Sequence, residues 1–176
     1  LSEIKDIGYL MDISHKAVKS INKGVGIPVS LGIAPTKTLA KMASVFAKKH
    51  KGYNGVCLID TDEKREKALK LFSIGDVWGI GRKHSKRLEY YGVKTAWDFT
   101  QKSEGWVRKE MSITGLRTWK ELSTLDAYNN EEYASNQTEV FIKYAFGDLF
   151  ENIPLTVMWS TYVSGDDWKE IYNDDR

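Results

Sequence analysis

The sequence predicts an α+β chain, in which short strands lie among several helices and a strand-rich tail follows. Three observations predict this class. Apolar residues recur at helical spacing over residues 4–21, apolar and polar residues alternate over residues 27–33, and a short apolar run follows the Asn54–Gly55 turn signal. The chain has 176 residues, of which 41% are hydrophobic and 12% aromatic. This composition is typical of a globular protein and not of a disordered one.

The first part of the chain is predicted to alternate between helix and strand. The predicted elements are a helix over 4–21 that ends at Gly24, a half-buried strand over 27–33 with Val29, Leu31 and Ile33 inward, a helix over 37–49, a buried strand over 56–59, and a helix that begins near Asp62.

The later part of the chain is predicted to be helical up to residue 125 and strand-like beyond it. The predicted helices cover about 82–90, 95–101, 104–110 and 114–122, and the strand-like runs cover 138–146 and 154–163. Charge divides at the same place. Residues 1–125 carry 23 Lys and Arg against 13 Asp and Glu, a net charge of +10, whereas residues 126–176 carry 3 against 11, a net charge of −8. The division indicates a basic body that meets phosphate and an acidic tail that does not.

Several classes of protein are excluded by the composition. No apolar run approaches the roughly 20 residues that cross a bilayer, and no secretory signal opens the chain. The lone Cys57 is expected to be a buried, reduced thiol of a cytosolic protein. The three histidines lack ligand spacing, and no acid–base pair can be assigned. Because the chain begins at Leu1 and not at Met, we expect it to be an excerpt of a longer protein.

The helix over residues 37–49 carries a polar stripe opposite its apolar face. At 100° per residue, Lys37, Lys41, Ser44 and Lys48 fall within about 60° of one another on the helical wheel. Two interpretations are open, a solvated lysine surface or a phosphate-facing surface. A P-loop is excluded, because the glycine that should precede the lysine is missing from the run GIAPTKT.

A second candidate site lies in the run VWGIGRKHSKRLEYYGVKT, residues 77–95. A dinucleotide fingerprint is excluded, since position 84 is His and not the third glycine. Two helices joined by Gly-Ile-Gly resemble the helix-hairpin-helix motif, in which Gly79 and Gly81 would allow a tight turn and close approach to DNA. Backbone N–H groups at the start of the second helix can bind phosphate, and Arg82, Lys83, Lys86 and Arg87 add nonspecific attraction. The alternative is a plain helical hairpin with a solvated basic face.

The chain resembles the Y-family translesion DNA polymerases, and within them the bacterial UmuC (ImpB/MucB/SamB) branch, over roughly residues 7–125. Two stretches carry the resemblance, PVSLGIAPTKTLAKMASVFAKKHKGYNGVCLID followed by IGDVWGIGRKHSKRLEYYGVKTAWDF. The resemblance implies that residues 1–62 are the C-terminal part of the palm. It implies that residues 63–125 are an all-helical thumb with the helix-hairpin-helix, and that residues 126–176 are a partial or divergent little finger.

The resemblance also implies roles for individual residues. Lys48 aligns with the lysine that contacts the triphosphate of the incoming nucleotide, and Lys41 with a basic position earlier on the same helix. The implied backbone cation site involves Gly75 and Ile80. The implied DNA-binding residues are Gly79, Ile80, Gly81, Arg82, Lys83, His84, Ser85 and Lys86. His84 stands where relatives often have a small hydroxyl residue.

The implied function is that of a fragment of an error-prone DNA polymerase for translesion synthesis in DNA repair and the SOS response. The metal-binding carboxylates and the fingers would precede Leu1, so we expect the chain alone to be inactive. Mg²⁺ is expected in the intact parent and no cofactor in this chain. Expected partners are primer–template DNA, a deoxynucleoside triphosphate in the parent, and a sliding clamp and UmuD-like subunit, with no membrane and a cytoplasmic location. The alternatives are a non-enzymatic helix-hairpin-helix DNA-binding module, or a protein-interaction domain that works through its acidic tail.

Overall fold

The computed structural model describes residues 2–24, 26, 28–111, 113–125 and 156–161, and side chains from residue 7 to residue 125 within those ranges. The elements in chain order are α1 (Ser2–Gly24), β1 (Val29–Ala34), α2 (Lys37–Lys49), a 3₁₀ turn (Lys51–Tyr53), β2 (Val56–Leu58), α3 (Asp62–Leu71), a 3₁₀ turn (Ile74–Asp76), α4 (Arg82–Tyr90), α5 (Ala96–Thr100), α6 (Glu104–Glu110), α7 (Ile113–Ser123) and β3 (Thr156–Thr161). The described chain is mainly helical with a small sheet, and the predicted α+β class is confirmed. None of the described helices is long and apolar enough to pass through a bilayer.

The sheet has the strand order β2–β1–β3. Strand β1 pairs in parallel with β2, with Leu31 opposite Val56, and the chain crosses between them through α2. On its other edge β1 pairs antiparallel with β3, with Val29 opposite Thr161. Strand β3 lies inside the second strand-like run predicted for the tail. The first predicted run, residues 138–146, lies outside the described residues, so a strand-rich tail stays a prediction.

Strand β1 is buried along its whole length, and the prediction of a half-buried strand was wrong. One face packs on α2. A side chain at Gly32 would collide with the carbonyl oxygen of Ala40 and the amide nitrogen of Ser44, so glycine lets the helix backbone lie directly on the strand. The other face joins an apolar cluster with Leu10 and Val18 of α1. Helices therefore cover both faces of the strand.

A larger apolar cluster runs without a break from α2 into the helices that follow the sheet. It joins Leu39 and Met42 of α2 to Leu69 of α3, Phe99 of α5 and Leu122 of α7. All five side chains are almost completely buried. One continuous core therefore extends across residue 62, where the sequence predicts the boundary between the palm part and the thumb.

Helix α5 begins with a capping box. The Thr95 hydroxyl accepts from the N–H of Asp98 (3.1 Å), and the Asp98 carboxylate accepts from the N–H groups of Thr95 (2.9 Å) and Lys94 (3.0 Å). Partial burial acts to raise the pKa of Asp98, but these hydrogen bonds outweigh it and hold the pKa below its ordinary value of 3.8. The side chains of Thr95 and Asp98 thus provide hydrogen-bond acceptors for N–H groups at the start of this five-residue helix.

The thiol of Cys57 is buried in β2, as the sequence predicts. Burial raises its pKa to about 11, against the opposing effects of a hydrogen bond from Tyr53 and the charge of Lys64. At neutral pH the thiol is therefore protonated and a poor nucleophile.

Candidate nucleic-acid interface

The glycine turn, residues 77–81, leads from the 3₁₀ turn at Ile74–Asp76 into α4. The side chain of Ile80 is 5% exposed and anchors the turn in the core, while its N–H donates to the carbonyl of Val77 (3.0 Å). Gly79 has a φ of +91°, which a residue with a side chain rarely adopts. A Cβ at this position would also lie 2.6 Å from the hydroxyl oxygen of Thr118 in α7. Both the backbone conformation at position 79 and the close approach of α7 therefore require glycine there.

Gly81 has a different role from Gly79. It occupies the N-cap position of α4 with φ −72° and ψ 164°, an ordinary extended conformation, and no side chain caps the helix. A Cβ at Gly81 would meet no atom within 4 Å. The tight turn that the sequence predicts here therefore needs glycine at Gly79 and not at Gly81. Glycine leaves open space in front of the first N–H groups of α4. These groups have no hydrogen-bond acceptor within the helix.

The first turns of α4 add positive charge to this open space. Arg82, Lys83 and Lys86 are all exposed. Among the residues that the structure describes, none of these three forms an ion pair. Arg87 is different, because its guanidinium pairs with the carboxylate of Glu110 at 2.5 Å. A helix N-terminus and three uncompensated cations together favour an anionic ligand such as a phosphate.

The structure does not bring every predicted DNA-binding side chain to this surface. His84 is only partly exposed. Ser85 is buried, and its hydroxyl donates to the carboxylate of Glu89 (3.1 Å) next to Gly75, so its side chain faces the protein. The predicted cation site at the backbone of Gly75 and Ile80 stays a prediction.

The polar stripe of α2 is not a continuous exposed surface. Ser44 is completely buried, and its hydroxyl donates to the carbonyl of Lys41 (2.8 Å), so the interpretation that placed it on the outer stripe was wrong. Lys41 is partly buried and Lys48 is exposed. The two lysines are seven positions apart, which is about 10 Å along the helix axis. If Lys41 and Lys48 bind the same ligand, they therefore contact atoms of it that are well separated.

Lys48 lines an open groove of about 550 Å³ at the C-terminal end of α2. The groove lies where β1 and β2 begin, and Lys51 contributes a second cation. The full lining consists of Pro28, Val29, Ser30, Ala47, Lys48, Lys51, Asn54 and Gly55. Two cations and an amide side chain make this groove suitable for phosphate groups.

The N-terminus of α2 is held by α7, the last helix among the described residues. The carboxylate of Glu121 accepts hydrogen bonds from the N–H and the hydroxyl of Thr38, and the backbone carbonyl of Glu121 accepts from the hydroxyl of Thr36 (2.8 Å). One residue further on, the carbonyl of Leu122 accepts from Arg65 of α3 (2.9 Å). Helix α7 thus connects the lysine-bearing helix to the part that carries the glycine turn.

Sequence reasoning did not identify Thr118 or Glu121. Thr118 occupies a buried position between Gly115 and Leu122 on the inner face of α7, and a polar residue at an apolar position is the signal that could have found it. Glu121 carries no such signal, since a glutamate on a helix is usually solvated. The two residues are one turn apart, one beneath Gly79 and the other at the start of α2.

Comparison with known proteins gives relatives along most of the chain. No family model matches. The UmuC protein of Salmonella typhimurium is 33% identical over 149 residues, which are 84% of this chain and 35% of that protein. ImpB of Salmonella typhimurium is 31% identical over 76% of this chain and 32% of its own length. DNA polymerase IV of Oceanobacillus iheyensis is 31% identical over 70% of this chain and 29% of its own length. The chain spans about a third of the length of the curated relatives it matches.

A solved structure shares the fold. The insertion ternary complex of Dbh DNA polymerase superposes with a TM-score of 0.52 at 23% sequence identity, over 66% of this chain and 32% of that chain. The likeness lies in the arrangement of helices and strands.

Proposed function

Since the chain belongs to the Y family of DNA polymerases, in its UmuC branch, we propose that it is the part of such a polymerase that grips primer–template DNA. The glycine turn and the start of α4 act as a helix-hairpin-helix that binds a backbone phosphate. The same surface binds DNA without reading its sequence, because phosphates are common to every sequence.

The observation that carries this proposal is the combination at Gly81. In the described part of the chain, open space, a helix start without a side-chain cap, and the charges of Arg82, Lys83 and Lys86 without ion-pair partners occur together at one point. A surface that served only solubility would not need a glycine in front of a helix N-terminus. A phosphate needs all three, because it must approach the backbone, accept from its N–H groups and be neutralised.

We infer a second phosphate site at Lys48, for the triphosphate of the incoming nucleotide in the parent protein, with Lys41 as its neighbour on α2. The groove that Lys48 and Lys51 line supports this proposal. It also favours a polymerase over a non-enzymatic DNA-binding module, which would use the glycine turn but has no need of a second basic groove.

The described residues offer magnesium no cluster of side-chain ligands. Phosphoryl transfer uses metal ions that carboxylates hold. Within the described ranges, no group of three His, Cys, Asp or Glu side chains could hold a metal ion. We therefore propose that the described residues act by binding phosphate.

In the parent protein we propose a role in translesion synthesis during DNA repair and the SOS response, in the cytoplasm, with a sliding clamp and a UmuD-like subunit as partners. The family resemblance supports these assignments.

The test is a fluorescence-anisotropy titration of labelled primer–template DNA with the 176-residue chain at several salt concentrations. Affinity should be independent of sequence, and log K should fall with log salt at a slope of about −0.9 per neutralised phosphate. Lys83→Gln and Lys86→Gln should each reduce the slope by about 1. Lys67→Gln, at an exposed position on α3, is the control and should leave it unchanged. Binding that ignores salt, or that Lys67→Gln weakens equally, contradicts the proposal.

A further inference from the structure

An exposed aromatic cluster lies at the end of α4 that is opposite to the glycine turn. Tyr90 is 86% exposed, the most exposed large hydrophobic side chain among the described residues. Its ring meets Tyr91 edge-on, with centroids 5.5 Å apart and planes at 74°. Tyr91 in turn meets Trp106 of α6 edge-on at 5.4 Å. Tyr90 is therefore supported from one side while most of its surface remains in water.

Cations connect this cluster to the glycine turn. Lys83, Lys86, Arg87 and Tyr90 follow the spacing i, i+3, i+4, i+7, which places them on one face of α4, and all four are exposed. Arg87 is held by Glu110, which leaves Lys83 and Lys86 as the uncompensated charges of this face within the described chain. On the far side of the cluster, the ammonium of Lys102 lies 5.4 Å from the ring centroid of Trp106.

The length of this face suits a nucleic-acid strand. From Arg82 to Tyr90 the helix rises about 12 Å, which equals the rise of three to four nucleotides along one strand of duplex DNA. A phosphate at the start of α4 would therefore be followed by phosphates near Lys83 and Lys86, and then by a base near Tyr90.

We propose that the α4 face (Lys83, Lys86 and Tyr90) binds a single-stranded stretch of DNA that continues from the duplex at the glycine turn, with an unpaired base stacked on Tyr90. This inference rests on the proposed function, since it extends the same interface. Charge complementarity favours DNA as the occupant, because lysines flank the aromatic rings and the ring of an exposed tyrosine can stack on any base. Bases within a duplex are already stacked on one another, so the partner of Tyr90 must be unpaired.

The experiment compares three labelled DNAs bound by the 176-residue chain: a blunt duplex, the same duplex with a short single-stranded extension, and the same extension with abasic sites. The extended duplex should bind about fivefold or more tightly than the blunt duplex, the lower end of the effect of stacking one base on an aromatic side chain. The abasic extension should lose most of this gain, because it keeps the phosphates and removes the bases.

Variants separate stacking from other causes. Tyr90→Ala should abolish the preference for the extended duplex and leave affinity for the blunt duplex unchanged, whereas Tyr90→Trp should retain the preference. Tyr9→Ala is the matched control, since Tyr9 is a 52% exposed tyrosine on α1. It should behave as the unaltered chain.

Three results would overturn the inference: a preference for the extended duplex that survives Tyr90→Ala, an abasic extension that binds as well as the intact one, or no preference at all. Self-association in sedimentation that Tyr90→Ala removes would instead assign the face to a second copy of the chain. Tyr90-dependent binding of polyglutamate, without an effect on DNA, would assign it to an acidic protein. Failure of the proposed function is a separate outcome, since it would appear as weak binding of the blunt duplex that does not depend on Gly81.

Discussion

The carboxylate of Glu121 accepts two hydrogen bonds from Thr38, one from the backbone N–H (2.9 Å) and one from the hydroxyl (2.7 Å), across 83 residues of sequence. Thr38 lies in the first turn of α2, where backbone N–H groups have no partner within the helix and the helix dipole favours negative charge. A residue of the last described helix thus satisfies the start of the helix that carries Lys41 and Lys48.

Replacing Glu121 with alanine should destabilise the chain by about 1–3 kcal/mol, because the N–H and the hydroxyl of the buried Thr38 would lose their acceptor. Glu121→Gln keeps an acceptor oxygen without the charge and should cost less. Urea unfolding gives the free energies, and hydrogen exchange should become faster at the Thr38 amide in Glu121→Ala. If Glu121→Ala were as stable as the unaltered chain, the contact would contribute little.

Replacing Gly79 with alanine should destabilise the fold by at least about 1–2 kcal/mol, since its φ of +91° disfavours any side chain and the new Cβ would press on Thr118. Thr118→Ala in the same chain should recover only the part that is due to the collision. Thermal unfolding of the single and double variants measures both parts. Full recovery in the double variant would mean that the backbone conformation itself costs nothing.

Replacing Gly81 with valine should weaken DNA binding strongly while costing less than about 1 kcal/mol of stability. Its backbone is ordinary and its surroundings are open, so the main effect is to block the approach of a phosphate. Gly105→Val is the matched control, because Gly105 is also exposed with open space around it. Binding titrations in which the two variants behave alike would remove the start of α4 from the interface.

Asp98 should make stability depend on pH in acid. Its pKa in the folded chain lies below the ordinary 3.8, so it stabilises the fold above that value, and the contribution disappears as pH falls through the lowered pKa. Asp98→Asn should therefore be less stable at pH 7 by about 0.3–1 kcal/mol, and the difference should vanish in strong acid. Urea unfolding between these limits measures it. A difference that persists in strong acid would point to a cause other than the charge.

In the parent protein, Lys48→Ala should raise the KM for the nucleotide about tenfold or more, with a smaller effect on DNA affinity, since a hydrogen bond to a charged group contributes about 1.5–3 kcal/mol. Lys49→Ala is the control. Lys49 is the next residue on α2, and its ammonium lies 4.0 Å from a carboxylate oxygen of Asp76. The measurement is steady-state nucleotide incorporation. Equal KM values for the two variants would show that the groove at Lys48 does not bind the nucleotide.

Local signals predicted the helices well. The pattern gave helices over 82–90 and 104–110, and the structure has α4 at Arg82–Tyr90 and α6 at Glu104–Glu110. Periodicity, N-caps and glycine stops are all contained within a few neighbouring residues, so a sequence can display them.

Contacts between distant residues were not predicted. Ser44 has the spacing of an outer residue, yet Gly32 lets α2 lie so close to β1 that Ser44 is buried. Likewise, nothing near Glu121 in the sequence indicates that its partner is Thr38. These placements depend on which elements pack together, and that information lies in the tertiary structure.

The continuous core between α2 and α5–α7 has a consequence for how this protein can be divided. A chain cut after residue 62 would leave the apolar face of α2, with Leu39 and Met42, in contact with water. Such a piece would be prone to aggregate, and its remainder would lose the surface on which Phe99 and Leu122 are packed. Truncation experiments should therefore keep residues 28–125 together, and heat should melt them in one cooperative transition.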